Sequence, residues 1–428
     1  MTDFLLKNAK AFINNDFVAQ DIRIQNDKIA EIGPDLEVNQ STVIDCTEKI
    51  IIPGIIDSQV HFRDPGLTHK EDLETGSKSA AMGGVTTFCE MPNTKPSTTT
   101  KERILEKVEI ANKKSVVNFH FFMGATDDNL EELKKVDEIP NCCGIKIFLG
   151  SSTGDLLVDH PEILKKIFKE TTAPIAVHSE NETRLKERLP IRDKATSAID
   201  HPNWRDVETA FSSTRKIIEL ARECKRKIHV LHITTQEEIE FLAKNKDTCT
   251  VEVTPQHLTL SSPDCYEKLG TYAQMNPPVR EKRHTDALWE GIHNGTVDII
   301  GSDHAPHTKE EKDKGYPHSP SGMPGVQTIL LVMLKHLEED KITWPKLIEL
   351  LVTNPAKKYS LDQERGSIET GKAADLVVLD PQAGYEITDS AMQSRCGWTP
   401  FHGMTLKHRV SEVFCNGKQV VKEGKENW

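Results

Sequence analysis

The chain has 428 residues, 37% hydrophobic and 28% charged, with a net charge of −12. That is enough apolar material for one large folded domain plus a smaller one, and the acidic balance argues against a nucleic-acid binder, whose footprint is usually basic. No apolar run approaches the roughly 18 residues of a membrane span, and the nine scattered cysteines form no CxxC, so no membrane span is expected and the usage suits a reducing cytoplasmic compartment.

The opening segment MTDFLLKNAKAF carries an early acid and no long apolar stretch, so no signal peptide is expected. Residues 3–50 alternate in short segments such as Phe4-Leu5-Leu6, Ile22-Arg23-Ile24 and Ile29-Ala30-Glu31-Ile32, separated by Asn and Asp turn residues. A small sheet of this kind needs a partner to bury its apolar face. Residues 366–428 supply one: Leu376-Val377-Val378-Leu379, Val413-Phe414 and Gln419-Val420-Val421. The expectation is a composite β-sandwich built from 1–54 and 366–428, flanking a central domain of 55–365.

The central domain reads as eight short apolar strands: 55–61, 85–91, 116–123, 144–149, 174–178, 228–232, 250–254 and 297–303. Charged amphipathic segments at 101–113, 128–136, 161–170, 206–225, 236–245 and 283–293 separate most of them, and segments at 325–338 and 343–352 follow the last. Repeated strand–helix alternation signals a parallel sheet, and eight strands suit a closed (β/α)8 TIM barrel, an α/β fold. Ionisable residues fall at or near the strands' C-terminal ends, where such barrels build active sites: His61, Lys146, His178, His232 and Asp303.

A lone histidine at a strand end is usually structural. Two in consecutive strands, His178 and His232, with His61 and Asp303 in others, read as a metal set of imidazoles and a carboxylate. His229 falls on the opposite face from His232 and reads as core or as a support. Asp303, in GSDHAPHT, suits both metal binding and general-base work; otherwise it is a turn aspartate. His307 in the same stretch is a candidate hydrogen-bond donor to substrate or a surface histidine, and His304 has the weaker claim. Lys146 aims an ammonium into the barrel. A buried lysine is costly unless paired or chemically altered, and carbamylation by CO₂ would make it an anionic ligand able to bridge two metals. Asp155 is a competing carboxylate. Arg63 and Asn93 make a fork plus amide suited to a substrate carboxylate, or else a surface ion pair and a turn asparagine. Asn276, in MNPPVR, is a further polar loop residue, and SGMPGV (321–326) could present backbone groups to a planar ring.

Taken together, QVHFRDPGLTHKEDLETGSKSAAMGGVTTFCEMPNTKP, GIKIFLGSS, AVHSE, HVLHITT, TPQHL, MNPPVR, GSDHAPHT, SGMPGVQT and GSIETGKAADLVVLD run nearly end to end. In them the chain resembles the dihydroorotases of the amidohydrolase superfamily. The resemblance implies zinc held by His61, His178, His232 and Asp303, with a carbamylated Lys146 as bridge in some members and an aspartate in others. It implies Asp303 as catalytic base, and substrate contacts from Arg63, Asn93, Asn276 and His307. The implied reaction is the reversible cyclisation of N-carbamoyl-L-aspartate to L-dihydroorotate, and the resemblance implies a homodimer. The first strand departs from the family's Asp-x-His-x-His: it reads Asp57-Ser58-Gln59-Val60-His61, with one imidazole missing. An uncharged amide oxygen is a poor zinc ligand, so one firmly held zinc on Lys146, His178 and His232 is expected, with a less secure second position. Gln256 in TPQHL is a lesser departure. Two other readings stand beside this one: a hydantoinase, dihydropyrimidinase or allantoinase relative, and a non-catalytic partner of another pyrimidine enzyme.

Overall fold

The computed structural model describes residues 3–150 and 156–428. Strands β1 (Asp3–Ile13), β2 (Asp16–Gln25), β3 (Lys28–Gly33), β4 (Thr42–Asp45) and β5 (Ile50–Pro53) open the chain. Eight strands follow: β6 (Ile55–Val60), β7 (Val85–Glu90), β8 (Asn118–Gly124), β9 (Cys142–Phe148), β10 (Ile175–His178), β11 (Ile228–Val230), β12 (Cys249–Val253) and β13 (Ile299–Ile300). The chain closes with β14 (Leu376–Asp380), β15 (Tyr385–Glu386), β16 (Thr405–Leu406), β17 (Arg409–Cys415), β18 (Lys418–Lys422) and β19 (Lys425–Glu426).

β6 to β13 pair in parallel in strict chain order. The gap between first and last is joined where Val60 bridges His304 and the His61 amide donates to the His304 carbonyl at 2.7 Å. This is the expected TIM barrel. Its strands are buried on both faces, which is why they read as continuous apolar runs. The outer helices form for local reasons. In Pro161–Glu170, Leu164, Ile167 and Phe168 fall at helical spacing and are buried, while Glu162 and Lys166 are exposed. Gln236–Ala243 starts with a capping box, Thr235 and Glu238 satisfying each other's backbone N–H.

The two ends of the chain do join. β1, β2 and β3 continue through β5 into β14, β17, β18 and β19, one nine-stranded sheet that also takes β4 alongside β1. It bends back on itself: Lys28 bridges Ala373, and the Ile29 amide donates to the Lys372 carbonyl at 2.9 Å. The enclosed core includes Leu6, Ile22, Ile24, Ile51, Val378 and Phe414. Gly54 links this sheet to the barrel; a side chain there would collide with Thr86 of β7.

Several short helices in the connections go beyond the sequence expectation, and two further elements differ from it. A helix over Leu73–Met82 was not anticipated, because LETGSKSAAM lacks apolar periodicity; it is capped by Asp72, whose side chain accepts from the Thr75 amide. The last barrel strand spans only Ile299–Ile300, and the chain then turns so that Asp303 takes a φ of 44°. No helix among the described residues is long and apolar enough to cross a membrane.

Candidate active site

The residues singled out from the sequence line one cavity of 450 Å³ at the C-terminal ends of the barrel strands. His61 lies one residue past β6, Lys146 within β9, and His178 at the end of β10. His232 follows β11, Asp303 follows β13, and Asn93, Asn276 and His307 come from the loops beyond. Asp155 lies outside the described residues. Arg63, His232 and Asp303 all have positive φ (63°, 37° and 44°), a conformation uncommon for residues other than glycine and concentrated at functional sites.

One half of the cavity is a histidine pair. His178 Nε2 meets Glu180 Oε2 at 3.0 Å, and His178 Nδ1 lies 3.0 Å from His232 Nε2. Glu180 is itself paired with Arg205 at 2.5 Å. Burial alone would raise the Glu180 pKa, but Arg205 and His178 outweigh it and hold the carboxyl well below its usual range. The ionised carboxylate accepts from His178 Nε2, so Nδ1 presents its lone pair. Burial lowers the pKa of both imidazoles and keeps them neutral. Among the described residues His232 Nδ1 is buried without a hydrogen-bond partner. A carboxylate fixing the far nitrogen of an imidazole is how metal-ligating histidines are commonly oriented.

Lys146 stands close by. Its Nζ is buried with no hydrogen-bond partner among the described residues and sits 4.6 Å from the Phe148 ring centroid. Burial pushes its pKa down to about 7, against the opposing pull of Asp303 and Glu252. A substantial neutral fraction follows, which is the form that can add CO₂.

The other half centres on Asp303. Gln59 Nε2 donates to Asp303 Oδ1 at 2.9 Å, and His61 Nε2 lies 3.2 Å from the same oxygen. His61 Nδ1 faces Asn93 Oδ1 at 2.6 Å, and an amide oxygen only accepts. That nitrogen therefore carries the proton, and a neutral ring turns a lone pair toward the carboxylate, which calls for a proton or a cation between them. Gln59 thus turns its amide nitrogen, not its oxygen, toward the carboxylate.

Among the described residues, no group of three or more His, Cys, Asp or Glu side chains forms a ready metal-ligand set. The donors come instead as two pairs, His178 with His232 and His61 with Asp303, with the unpartnered Lys146 on the same cavity. Two neutral imidazole nitrogens 3.0 Å apart, one with its tautomer fixed, fit a zinc ion whose third donor is an altered Lys146.

Another wall of the cavity is cationic. Arg63 is buried, and among the described residues its guanidinium has no ion-pair or hydrogen-bond partner; burial pushes its pKa down to about 10. Asn276 Oδ1 lies 3.0 Å from His201 Nε2, which also meets the Met275 carbonyl at 3.1 Å. Several predicted neighbours serve the scaffold. His229 meets Thr250 Oγ1 at 2.8 Å and Glu252 at 3.3 Å, and His304 Nδ1 accepts from the amides of Gly325 and Val326. The loop 321–326 therefore offers the cavity Ser321 and Gly322, not those two amides. Glu180, Arg205, His201 and Lys70 were not singled out. Only Glu180 left a trace in the sequence, two residues after His178.

The amidohydrolase family model matches residues 50–420. A protein from Methanosarcina acetivorans named dihydroorotase is 36% identical over 418 residues, covering 94% of this chain and 89% of its own. An allantoinase from Salmonella choleraesuis is 31% identical over 434 residues, 98% of this chain and 95% of its own. Among solved structures, L-hydantoinase (dihydropyrimidinase) from Arthrobacter aurescens superposes with a TM-score of 0.94 at 28% identity, covering 100% of this chain and 98% of that one.

Proposed function

The chain belongs to the amidohydrolase family and is a hydrolase of cyclic amides; from that premise we propose that it is a dihydroorotase, interconverting N-carbamoyl-L-aspartate and L-dihydroorotate. The observation that carries the substrate is Arg63. A buried guanidinium without a partner among the described residues, on the wall of a cavity it shares with Asn93, is a site awaiting an anion. L-Dihydroorotate carries a ring carboxylate, whereas the neutral cyclic ureides bring no charge to meet it.

In this reading Lys146, as its carbamate, His178 and His232 hold one zinc ion, and His61 with Asp303 offers a second, weaker position where Gln59 stands. Zinc bound there supplies Lewis acidity toward the ring carbonyl and lowers the pKa of water toward neutrality. Arg63 and Asn93 hold the carboxylate and so fix the ring for attack, with Asn276 and His307 on the adjoining wall. Asp303 takes the proton of the attacking water and returns it to the departing ring nitrogen. Gln59 and His61 keep its carboxylate aimed.

The direct test is the interconversion rate of purified protein with and without added zinc. Zinc-dependent turnover is expected. A folded protein with no turnover in either condition would move the function to another cyclic amide or to a non-catalytic partner. A preference for hydantoin, dihydrouracil or allantoin would favour the neutral-ring reading that the hydantoinase and allantoinase likenesses suggest. Arg63→Ala is expected to raise KM for dihydroorotate about 10- to 100-fold, the loss of a charged hydrogen bond, with kcat much less affected. Unchanged kinetics would remove Arg63 from the clamp.

A further inference from the structure

We propose that Lys70 is a second cation of the carboxylate clamp, contacting substrate directly, and that His307 is a positioning residue that holds it. This rests on the reading of the cavity as a site for a carboxylated ring.

The argument begins with His307. Its Nε2 lies 3.0 Å from the Ser321 carbonyl oxygen, which only accepts, so Nε2 carries the proton. The ring stays neutral, burial pushing its pKa down to about 3. Nδ1 is therefore a lone pair, and Lys70 Nζ donates to it at 3.0 Å. Both ring nitrogens are engaged before a ligand arrives, and His307 has no N–H left to offer one.

Lys70 does. Its ammonium has three donors. One goes to His307, and a second to Glu311 Oε1 at 2.9 Å. Among the described residues no further side-chain partner accounts for the third, and Lys70 lines the same cavity as Arg63. The lysine is held from both sides. Glu311 is fixed by a capping box with Thr308, whose amide donates to Glu311 Oε2 at 3.2 Å. The Lys70 side chain is only 14% exposed, so its stem has little freedom to swing away.

Charge leads to the same place. Arg63 and Lys70 repel one another, and Glu311 ion-pairs with Lys70 but not with Arg63. Asp303, Glu90, Glu311 and Glu71 act on Arg63 through space without pairing with it, whereas Lys70 is in contact with Glu311, so a substrate carboxylate meets one cation that has no contact ion among the described residues. A ring without that carboxylate leaves the repulsion in place. Lys70 therefore acts on selectivity between charged and neutral rings, not on the chemistry of ring opening.

The test compares L-dihydroorotate with dihydrouracil, the same ring without the carboxylate, by calorimetric binding and by kcat/KM in zinc-loaded protein. Lys70→Met is expected to weaken dihydroorotate about 10- to 100-fold, mostly in KM, and to move dihydrouracil less than about threefold. Lys70→Arg should recover most of the loss. His307→Leu should fall toward Lys70→Met, and His307→Gln, whose amide oxygen can still accept from Lys70, should recover most of what His307→Leu loses. The double variant Lys70→Met/Glu311→Gln separates a missing cation from a stranded carboxylate. Persistence of the loss there supports the proposal, and recovery overturns it. Equal losses on both rings, or no loss, also overturn it. Wild-type protein with no preference for dihydroorotate would instead overturn the functional reading; a preference left undiminished by Lys70→Met overturns only the role of Lys70.

Discussion

Replacing Asp303 by asparagine is expected to lower kcat about 10²- to 10⁴-fold, the usual worth of a positioned general base, while leaving the protein folded. The substitution is close to isosteric. Asp303 Oδ1 accepts from Gln59 Nε2 at 2.9 Å and faces His61 Nε2 at 3.2 Å, and an asparagine oxygen can keep the first of these contacts. What it cannot keep is the capacity to take a proton from water and return it to the ring nitrogen. Steady-state kinetics in both directions provide the measurement. The values of kcat/KM in the two directions should fall by the same factor, since their ratio is the equilibrium constant and belongs to the substrates. A kcat within about threefold of wild type would remove Asp303 from the proton-transfer step.

Arg205→Met is expected to cost about 3–5 kcal/mol of stability, because it strands a charge in the interior. Glu180 is fully buried and Arg205 is 1% exposed. Arg205 Nε reaches Glu180 Oε1 at 3.1 Å and its Nη2 reaches Oε2 at 2.5 Å. Without Arg205, the carboxylate must either stay ionised in a medium that disfavours charge or take up a proton. The double variant Arg205→Met/Glu180→Gln removes the stranded charge and should recover much of the loss in urea unfolding. It should nonetheless bind zinc about 10- to 100-fold more weakly, since His178 Nε2 then lacks its anionic acceptor. Equal instability of single and double variants would show that packing of the arginine stem, not its charge, is what matters. Zinc affinity unchanged in the double variant would remove Glu180 from the orientation of His178.

Much of this architecture was legible in the chain itself. The alternation of apolar runs with amphipathic segments announced the barrel, because strands covered on both faces are apolar throughout and helices covered on one face are not. The same pattern put His61, Lys146, His178, His232 and Asp303 near strand ends, and the structure brings them to one cavity. The helix at Leu73–Met82 was missed because, after Leu73, its buried positions are filled by Gly76, Ser77, Ser79, Ala80 and Ala81. Gly76 lies against the Phe62 ring, leaving no room for a side chain, so contact rather than hydrophobic periodicity shapes that face.

Residue type and local spacing were therefore determined by the sequence alone: which strands, which strand ends, which ionisable groups, and the amide at position 59. Partnership was decided only by the tertiary structure. Arg205 meets Glu180 across 25 residues, Gln59 meets Asp303 across 244, and Lys70 meets His307 across 237. None of these pairs has a local period to betray it. The last two depend on closure of the barrel, which brings its first and last strands together, and the first on the path of the connection between β10 and β11. Which nitrogen of His178 is free, which atom of Gln59 faces the carboxylate, and which cation has a donor to spare are questions of orientation. Neighbours distant in the chain answer them, by satisfying some polar atoms and leaving others open.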